Sequence, residues 1–315
     1  MKNMRIPLLS ALGVAILGII LGSFLDYQLS SAIASADNGF GLFVSVVGPT
    51  IGFCGLSFIG GGFFALGLKN KTLWVKIVFI VLAVAAFGVT VYYAGREYFG
   101  INGFYQKAPD IVGILTAAVC SLAAEVGGYF CFKDCKNEQA WIPFLAVYVV
   151  LLLVLVAAIP VLKDTMHRPR YRTVCQGIVP FHNWFERCGD YKDYMTNYGY
   201  GGDEFKSFPS GHTGEASILI VVATFLPLAD EKFKKYQLPL FIGACCFVVL
   251  VAFSRILAAA HYLSDVSMGA TLTLTFATIA NELLIKFVKP KKIEEAVEEK
   301  PAEEPAQEEV KENVE

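Results

Sequence analysis

Residues 238–258 read LPLFIGACCFVVLVAFSRILA, and residues 259–265 continue AAHYLSD. The first segment is apolar over 21 residues apart from Arg255 near its end. At 1.5 Å per helical residue it is long enough to cross the ~30 Å hydrocarbon core of a bilayer. Arg255 and His261 are six residues apart, roughly 120° out of phase on a straight helix. The small residues Ala258, Ala259 and Ala260 between them permit a turn. One helix is therefore expected to end there and another to begin near His261. On the second helix Asp265 stands four residues after His261, on the same face.

Working outward, comparable apolar runs recur at roughly 6–25, 43–67, 74–95, 111–132, 142–162, 212–229 and 265–287. With 238–258 this makes eight candidate spans, of which 212–229 is the weakest because it is the shortest. The expected fold is an all-α polytopic transmembrane bundle of about eight spans; merged or re-entrant segments would make it six or seven. Composition agrees: the chain has 315 residues, 55% hydrophobic and 17% charged, with a mean hydropathy of +0.54. A soluble domain of this length needs more charged surface. The run Ile6–Leu25 follows Lys2 and Arg5 and ends in Asp26 rather than a small-residue cleavage site, so it reads as a retained first span. The run 43–67 holds Gly48, Gly52, Gly55, Gly60, Gly61, Gly62 and Gly67, a composition suited to close helix contact in lipid. The chain divides into N-terminal spans (1–141), a core carrying the chemistry (142–288) and a tail (289–315). Residues 293–315 hold ten Glu against Lys300 and Lys311, a net of −8, leaving about +6 on residues 1–292. That end reads as a solvated, disordered acidic segment.

Charge between the runs sets an expected orientation. With a cytosolic N-terminus, the inside connections carry Lys69, Lys71 and Lys76; Lys133 and Lys136; Lys232, Lys234 and Lys235; and finally Lys286, Lys289, Lys291 and Lys292. The first outside connection, 26–42, has no Lys or Arg, and the second has only Arg96 and Lys107. This is the positive-inside pattern, with both termini cytosolic in a multi-pass cell-membrane protein. Segment 163–210 breaks it. Expected outside, it carries Lys163, Arg168, Arg170, Arg172, Arg187, Lys192 and Lys206, so those charges have another task. It is also rich in aromatics (Phe181, Trp184, Phe185, Tyr191, Tyr194, Tyr198, Tyr200), as a loop at headgroup level would be. Of eight Cys, those in apolar runs read as small buried hydrophobes, whereas Cys175 and Cys188 share the polar loop and could pair.

Three clusters interrupt the apolar pattern: Lys163-Asp-Thr-Met-His-Arg-Pro-Arg170, Pro209-Ser-Gly-His212, and Ser254-Arg255 with His261 and Asp265. By span parity all three fall at the same, non-cytosolic face and can converge. Lys163, Arg168, Arg170 and Arg255 can surround a phosphate dianion. Gly211 allows close approach, and the Ser210 hydroxyl with the N–H groups opening the next helix completes an anion site. A carboxylate at Asp265, bonded to one imidazole nitrogen of His261, leaves the other free to attack phosphorus. His212 is then the acid for the leaving alkoxide and the base for water. Fixed cations can stabilise the transferring group, so no metal or other cofactor is required.

These three motifs together resemble those of the type 2 phosphatidic acid phosphatase superfamily. That superfamily includes bacterial undecaprenyl-pyrophosphate and phosphatidylglycerophosphate phosphatases, glucose-6-phosphatase and vanadium haloperoxidases. Its pattern is Lys-x6-Arg-Pro, Pro-Ser-Gly-His and Ser-Arg-x5-His-x3-Asp. The second and third are matched in full by Pro209–His212 and Ser254–Asp265, and the first by Lys163 and Arg170, with Tyr171 in place of Pro. The resemblance implies His261 as nucleophile, Asp265 as its orienter and His212 as acid. It assigns Lys163, Arg170, Arg255, Ser210 and Gly211 to phosphate, with Arg168 as a helper. It covers roughly 142–287 and implies a six-helix phosphatase core with extra spans ahead of it.

The expected function is a membrane lipid phosphatase acting on a phosphomonoester or pyrophosphate through a phosphohistidine, with lipid substrate and membrane lipids as partners and no nucleic acid. A phosphotransferase of the same superfamily and a polytopic transporter or flippase are the alternatives. Glu125 and Glu215, ionisable groups in apolar runs, are secondary functional candidates. His167 and His182 read as packing or surface residues.

Overall fold

A computed structural model describes residues 4–99, 110–134, 157–228 and 231–287. Among these the chain is helical with connecting turns, and no strand occurs. The helices are α1 (Arg5–Ile33), α2 (Gly39–Lys69), α3 (Leu73–Phe99), α4 (Asp110–Phe132), α5 (Ile159–Met166), α6 (Tyr171–Val174), α7 (Tyr191–Tyr198), α8 (Gly211–Ala216), α9 (Ile218–Phe225), α10 (Gln237–Leu257) and α11 (Leu263–Phe287). Six of them (α1–α4, α10 and α11) are long and apolar enough to cross a membrane. The chain is thus a polytopic helical bundle, a multi-pass membrane protein. The run 142–162 lies mostly outside the described residues, as does the acidic tail.

The run 212–229 departs from expectation. It is not one continuous helix: α8 and α9 meet at Ser217, whose hydroxyl donates to the Thr213 carbonyl at 2.7 Å. A hydroxyl that bonds the preceding turn competes with the backbone ladder and bends a helix. The pair is buried at the centre of the protein, against α2, α10 and α11.

Packing follows from small residues. α2 is central, with α3 and α4 on one side and α8, α9 and α10 on the other. A Cβ on Gly61 would fall 1.8 Å from the Glu125 carbonyl oxygen of α4, and one on Gly128 1.8 Å from that of Phe58. Where lipid is as apolar as the side chains, such backbone contact supplies the attraction between helices. α1 lies antiparallel on α11: Arg5 pairs with Glu282, Gly18 faces Ser267 and Gly22 faces Ser264. Glu282 is half-buried at this ion pair. Glu125 sits at the α2–α4 contact, its Oε1 3.3 Å from where a Cβ on Gly60 would stand. The connection ahead of α10 shares the end at which α4 finishes, since Lys232 Nζ donates to the Cys131 carbonyl at 3.4 Å and Phe233 packs on Phe132.

Segment 163–210 is a packed cap, and its charges are largely matched. Arg168 bonds Asp26 and Asp265, Arg170 bonds Asp203, Arg172 bonds Glu204, and Lys206 bonds Asp164. Its aromatics mostly turn inward: Phe181 packs with Tyr171, Tyr262 and Tyr27, while Tyr191, Tyr194 and Tyr200 surround Phe205. Phe185 and Tyr198 remain exposed and fit the interfacial role. Cys175 and Cys188 do not pair. Cys175 is exposed with its thiol towards the Arg172 carbonyl, while Cys188 is buried in the Phe205 cluster.

The close contacts predict a contrast between two glycines. Gly61→Ala should destabilise the protein by about 1–3 kcal/mol, because a backbone cannot yield as a side-chain tip does. Gly13→Ala, with nothing within 4 Å of the added atom, should be neutral or stabilising by up to about 1 kcal/mol. Thermal unfolding of the two variants in one detergent checks this.

Candidate active site

The site is built where α10 ends and α11 begins. α10 closes with a Schellman arrangement: Ala260 N–H reaches the Arg255 carbonyl and Ala259 N–H that of Ile256. Ala259 takes the left-handed conformation, at φ 53°, where glycine is the usual occupant. The expected break between Arg255 and His261 is therefore present. His261 N–H also bonds the Arg255 carbonyl, which ties the histidine to the last turn of the arginine's helix.

α11 then opens with an unusual cap. Asp265, in its first turn, accepts from the Tyr262 backbone N–H at 2.9 Å, the reach-back half of a capping box. The Ser264 N–H is taken by Asp26 of α1, also at 2.9 Å. Two carboxylates thus satisfy donors that the helix itself cannot, at the positive end of its dipole.

His261 is 1% exposed. Its Nδ1 stands 2.6 Å from the Ser207 carbonyl oxygen and 3.7 Å from Asp265 Oδ2. A carbonyl only accepts, so Nδ1 carries the hydrogen and Nε2 keeps its lone pair. Nε2 faces Arg170 Nη1 at 3.4 Å. The expected direct bond between the imidazole and Asp265 is thus replaced by one that the imidazole donates to the Ser207 carbonyl, and Asp265 contacts Ser207 in turn. The Ser207 hydroxyl donates to Asp265 Oδ2, and its N–H bonds the Arg168 carbonyl. Burial holds the imidazole well below its ordinary titration range; the Asp265 carboxylate opposes this, and the nearby charges of Arg170, Arg255 and Lys163 add to it.

The cations fall into two groups. Arg170 is clamped by the Asp203 carboxylate at 2.8 Å, the Asp203 carbonyl at 2.9 Å and the Ala260 carbonyl at 3.1 Å. Desolvation pushes the Asp203 carboxyl up, but Arg170, Lys163 and Arg172 outweigh it and hold it at about 2. Lys163, in the last turn of α5, has its Nζ 3.7 Å from where a Cβ on Gly211 would stand, and Glu215 Oε1 lies 3.5 Å from the same point. His212 is half-buried, its ring centroid 6.5 Å from that of His261. Lys163, Arg170, Arg255, Gly211, His212 and His261 are therefore brought together.

Arg168 belongs to the other group, which corrects its expected place among phosphate ligands. Its side chain is fully buried, and its donors go to Asp265 (2.5 Å), Asp26 (2.9 Å), Ser264 (2.8 Å) and the His182 carbonyl (2.9 Å), beneath the Tyr262 ring. Ser210 is also partly committed. Its N–H bonds the Asp265 carbonyl at 3.0 Å, and its Oγ accepts from Thr213 as the cap of α8, leaving only the hydroxyl hydrogen to donate. His167 stacks on Tyr191 as a packing residue. Sequence reasoning missed Ser207, Asp203 and Asp26. The first two flank a motif without belonging to it, and Asp26 is 239 residues from Asp265.

Residues 144–288 match the family model described as PAP2 superfamily, a range that holds the site residues named above except Asp26 and leaves α1–α4 outside. No curated protein and no solved structure matches the chain.

A buried imidazole kept neutral makes a pH prediction. The unfolded chain takes up a proton near pH 6.5 while the folded one resists it. The contribution of His261 is complete above that pH and is lost as pH falls towards the lowered value, by up to about 1.4 kcal/mol per pH unit. Melting curves between pH 8 and 5 should fall more steeply for the parent than for His261→Asn.

Proposed function

We propose that this chain, whose residues 144–288 match the PAP2 superfamily model, is an integral-membrane phosphatase that cleaves lipid phosphate esters or pyrophosphates through a phosphohistidine at His261. The family supports a phosphatase-type function in general. The observation that carries the finer reading is the neutral His261, with its Nδ1 donating to the Ser207 carbonyl and its Nε2 lone pair 3.4 Å from Arg170 Nη1.

In this reading Nε2 attacks phosphorus and the bond to the leaving oxygen breaks. His212 gives that oxygen its proton. Water, deprotonated by His212, then attacks the phosphohistidine; the P–N bond breaks and inorganic phosphate leaves. Arg170, Arg255 and Lys163 neutralise the equatorial oxygens, with the Ser210 hydroxyl as a further donor. Gly211 leaves open the space beside Lys163, where a phosphate oxygen can approach. The imidazole gains positive character as it attacks, and Asp265 with Ser207 offsets it. The site faces the non-cytosolic side, and the lysines near the opposite end, Lys133 and Lys232, favour the cytosol. A lipid enters sideways from the outer leaflet. An alcohol resolving the phosphoenzyme in place of water would make the chain a phosphotransferase.

The test is phosphate release by detergent-purified protein from phosphatidate, phosphatidylglycerophosphate and undecaprenyl pyrophosphate. Release from at least one, undiminished by EDTA and reduced at least about a thousandfold by His261→Asn, is expected. No release from any of the three overturns the reading. His212→Ala should cost roughly 10²–10⁴-fold on such esters. The loss should shrink on p-nitrophenyl phosphate, whose leaving group needs no proton.

A further inference from the structure

Asp26 lies in α1, outside the segment that matches the family, yet it is 2% exposed and meets the opening of α11. Its Oδ1 accepts from the Ser264 N–H at 2.9 Å. Its Oδ2 accepts from the Ser264 hydroxyl and, at 2.9 Å, from Arg168 Nη2. The same guanidinium gives Nη1 to Asp265 Oδ1 at 2.5 Å. One arginine is thus shared by two carboxylates, and all three side chains are fully buried.

Such a cluster is a poor means of holding a fold. Removing each ion from water costs several kcal/mol, and apolar residues of similar volume usually serve stability as well or better. An acid within a membrane-spanning helix is expensive in its own right. The helix packing is shaped to permit it. Gly18, Gly22 and Asp26 recur at four-residue spacing on one face of α1. A Cβ on Gly18 would lie 2.3 Å from Ser267 Oγ, and one on Gly22 2.7 Å from the Ser264 N and 2.8 Å from Asp26 Oδ1. Only glycines let α1 come close enough for Asp26 to reach the helix end.

We propose that α1 completes the active site, with Asp26 a positioning residue that acts on Asp265 and His261 through Arg168 and Ser264. Two effects run in the same direction. Asp26 fixes the guanidinium and the first turn of α11, and with them the Asp265 carboxylate and Ser207. It also takes up part of the Arg168 charge, so that Asp265 keeps a net negative field at the imidazole. Without Asp26, Arg168 would neutralise Asp265 alone, and the positive charge developing on His261 during attack would lose its support.

This inference rests on His261 as nucleophile. The experiment measures kcat and KM per folded molecule, on whichever of the three lipid phosphates the parent hydrolyses fastest, for Asp26→Asn, Gly22→Ala and Glu282→Gln. Asp26→Asn is expected to lower kcat roughly 10- to 100-fold with KM nearly unchanged, since a small misplacement of reacting groups has that scale of cost. Gly22→Ala, which forces α1 away from Ser264, should follow it. Glu282→Gln breaks the ion pair at the far end of the same helix contact and should leave kcat as it is. A folded Asp26→Asn protein with kcat within about twofold of the parent overturns the proposal. If Asp26→Asn does not fold, Gly22→Ala decides by the same criterion; loss of both from the folded fraction means a purely structural role and overturns it too. A parent that releases no phosphate fails the nucleophile reading itself, and this proposal with it. An active parent beside an unaffected Asp26→Asn fails the proposal alone.

Discussion

The arrangement depends on the need to satisfy one buried carboxylate. Asp265 is sealed from solvent, where an unmatched charge would cost far more than any single contact returns. Its partners are Arg168, the Ser207 hydroxyl and the Tyr262 N–H. Each fixes something else. Arg168 binds the cap segment to α1, Ser207 sets the tautomer of His261, and the Tyr262 contact opens α11 directly after His261. Segments distant in sequence meet because this group has to be matched from several directions.

Charge is partitioned by the same requirement. Arg168 and Arg172 are held by acids, which makes them scaffolding, whereas Lys163, Arg170 and Arg255 act on the imidazole. Arg170 stands between the groups, pinned by Asp203 yet within 3.4 Å of His261 Nε2. Burial does most to keep the histidine neutral, and the cations that would receive an anion add to it.

Small residues make these distances possible in a membrane. Contacts such as Gly61 on α4 and Gly22 on α11 bring backbones together where side chains would hold them apart. The close packing of α1 on α11 is what allows a carboxylate of α1 to act as a cap for α11.

The sequence by itself determined the all-helical membrane class, because apolar runs of spanning length follow from composition and order alone. It also determined the turn between Arg255 and His261 and the grouping of Lys163, Arg170, His212, Arg255 and His261, since helix periodicity and motif spacing are local properties. Only the tertiary structure decided the rest. Arg168 and Arg170 are two residues apart and chemically alike, and which one faces His261 depends on where Asp26 and Asp203 stand. The run 212–229 has the composition of a span, but its helix is interrupted at Ser217, which composition does not show. Ser207 orients His261 through a main-chain carbonyl, which carries no residue signature. Asp26 read as the end of an apolar run because its partners, Arg168 and Ser264, lie more than 140 positions away. Burial and partner choice are set by which helices touch, and no local pattern encodes that.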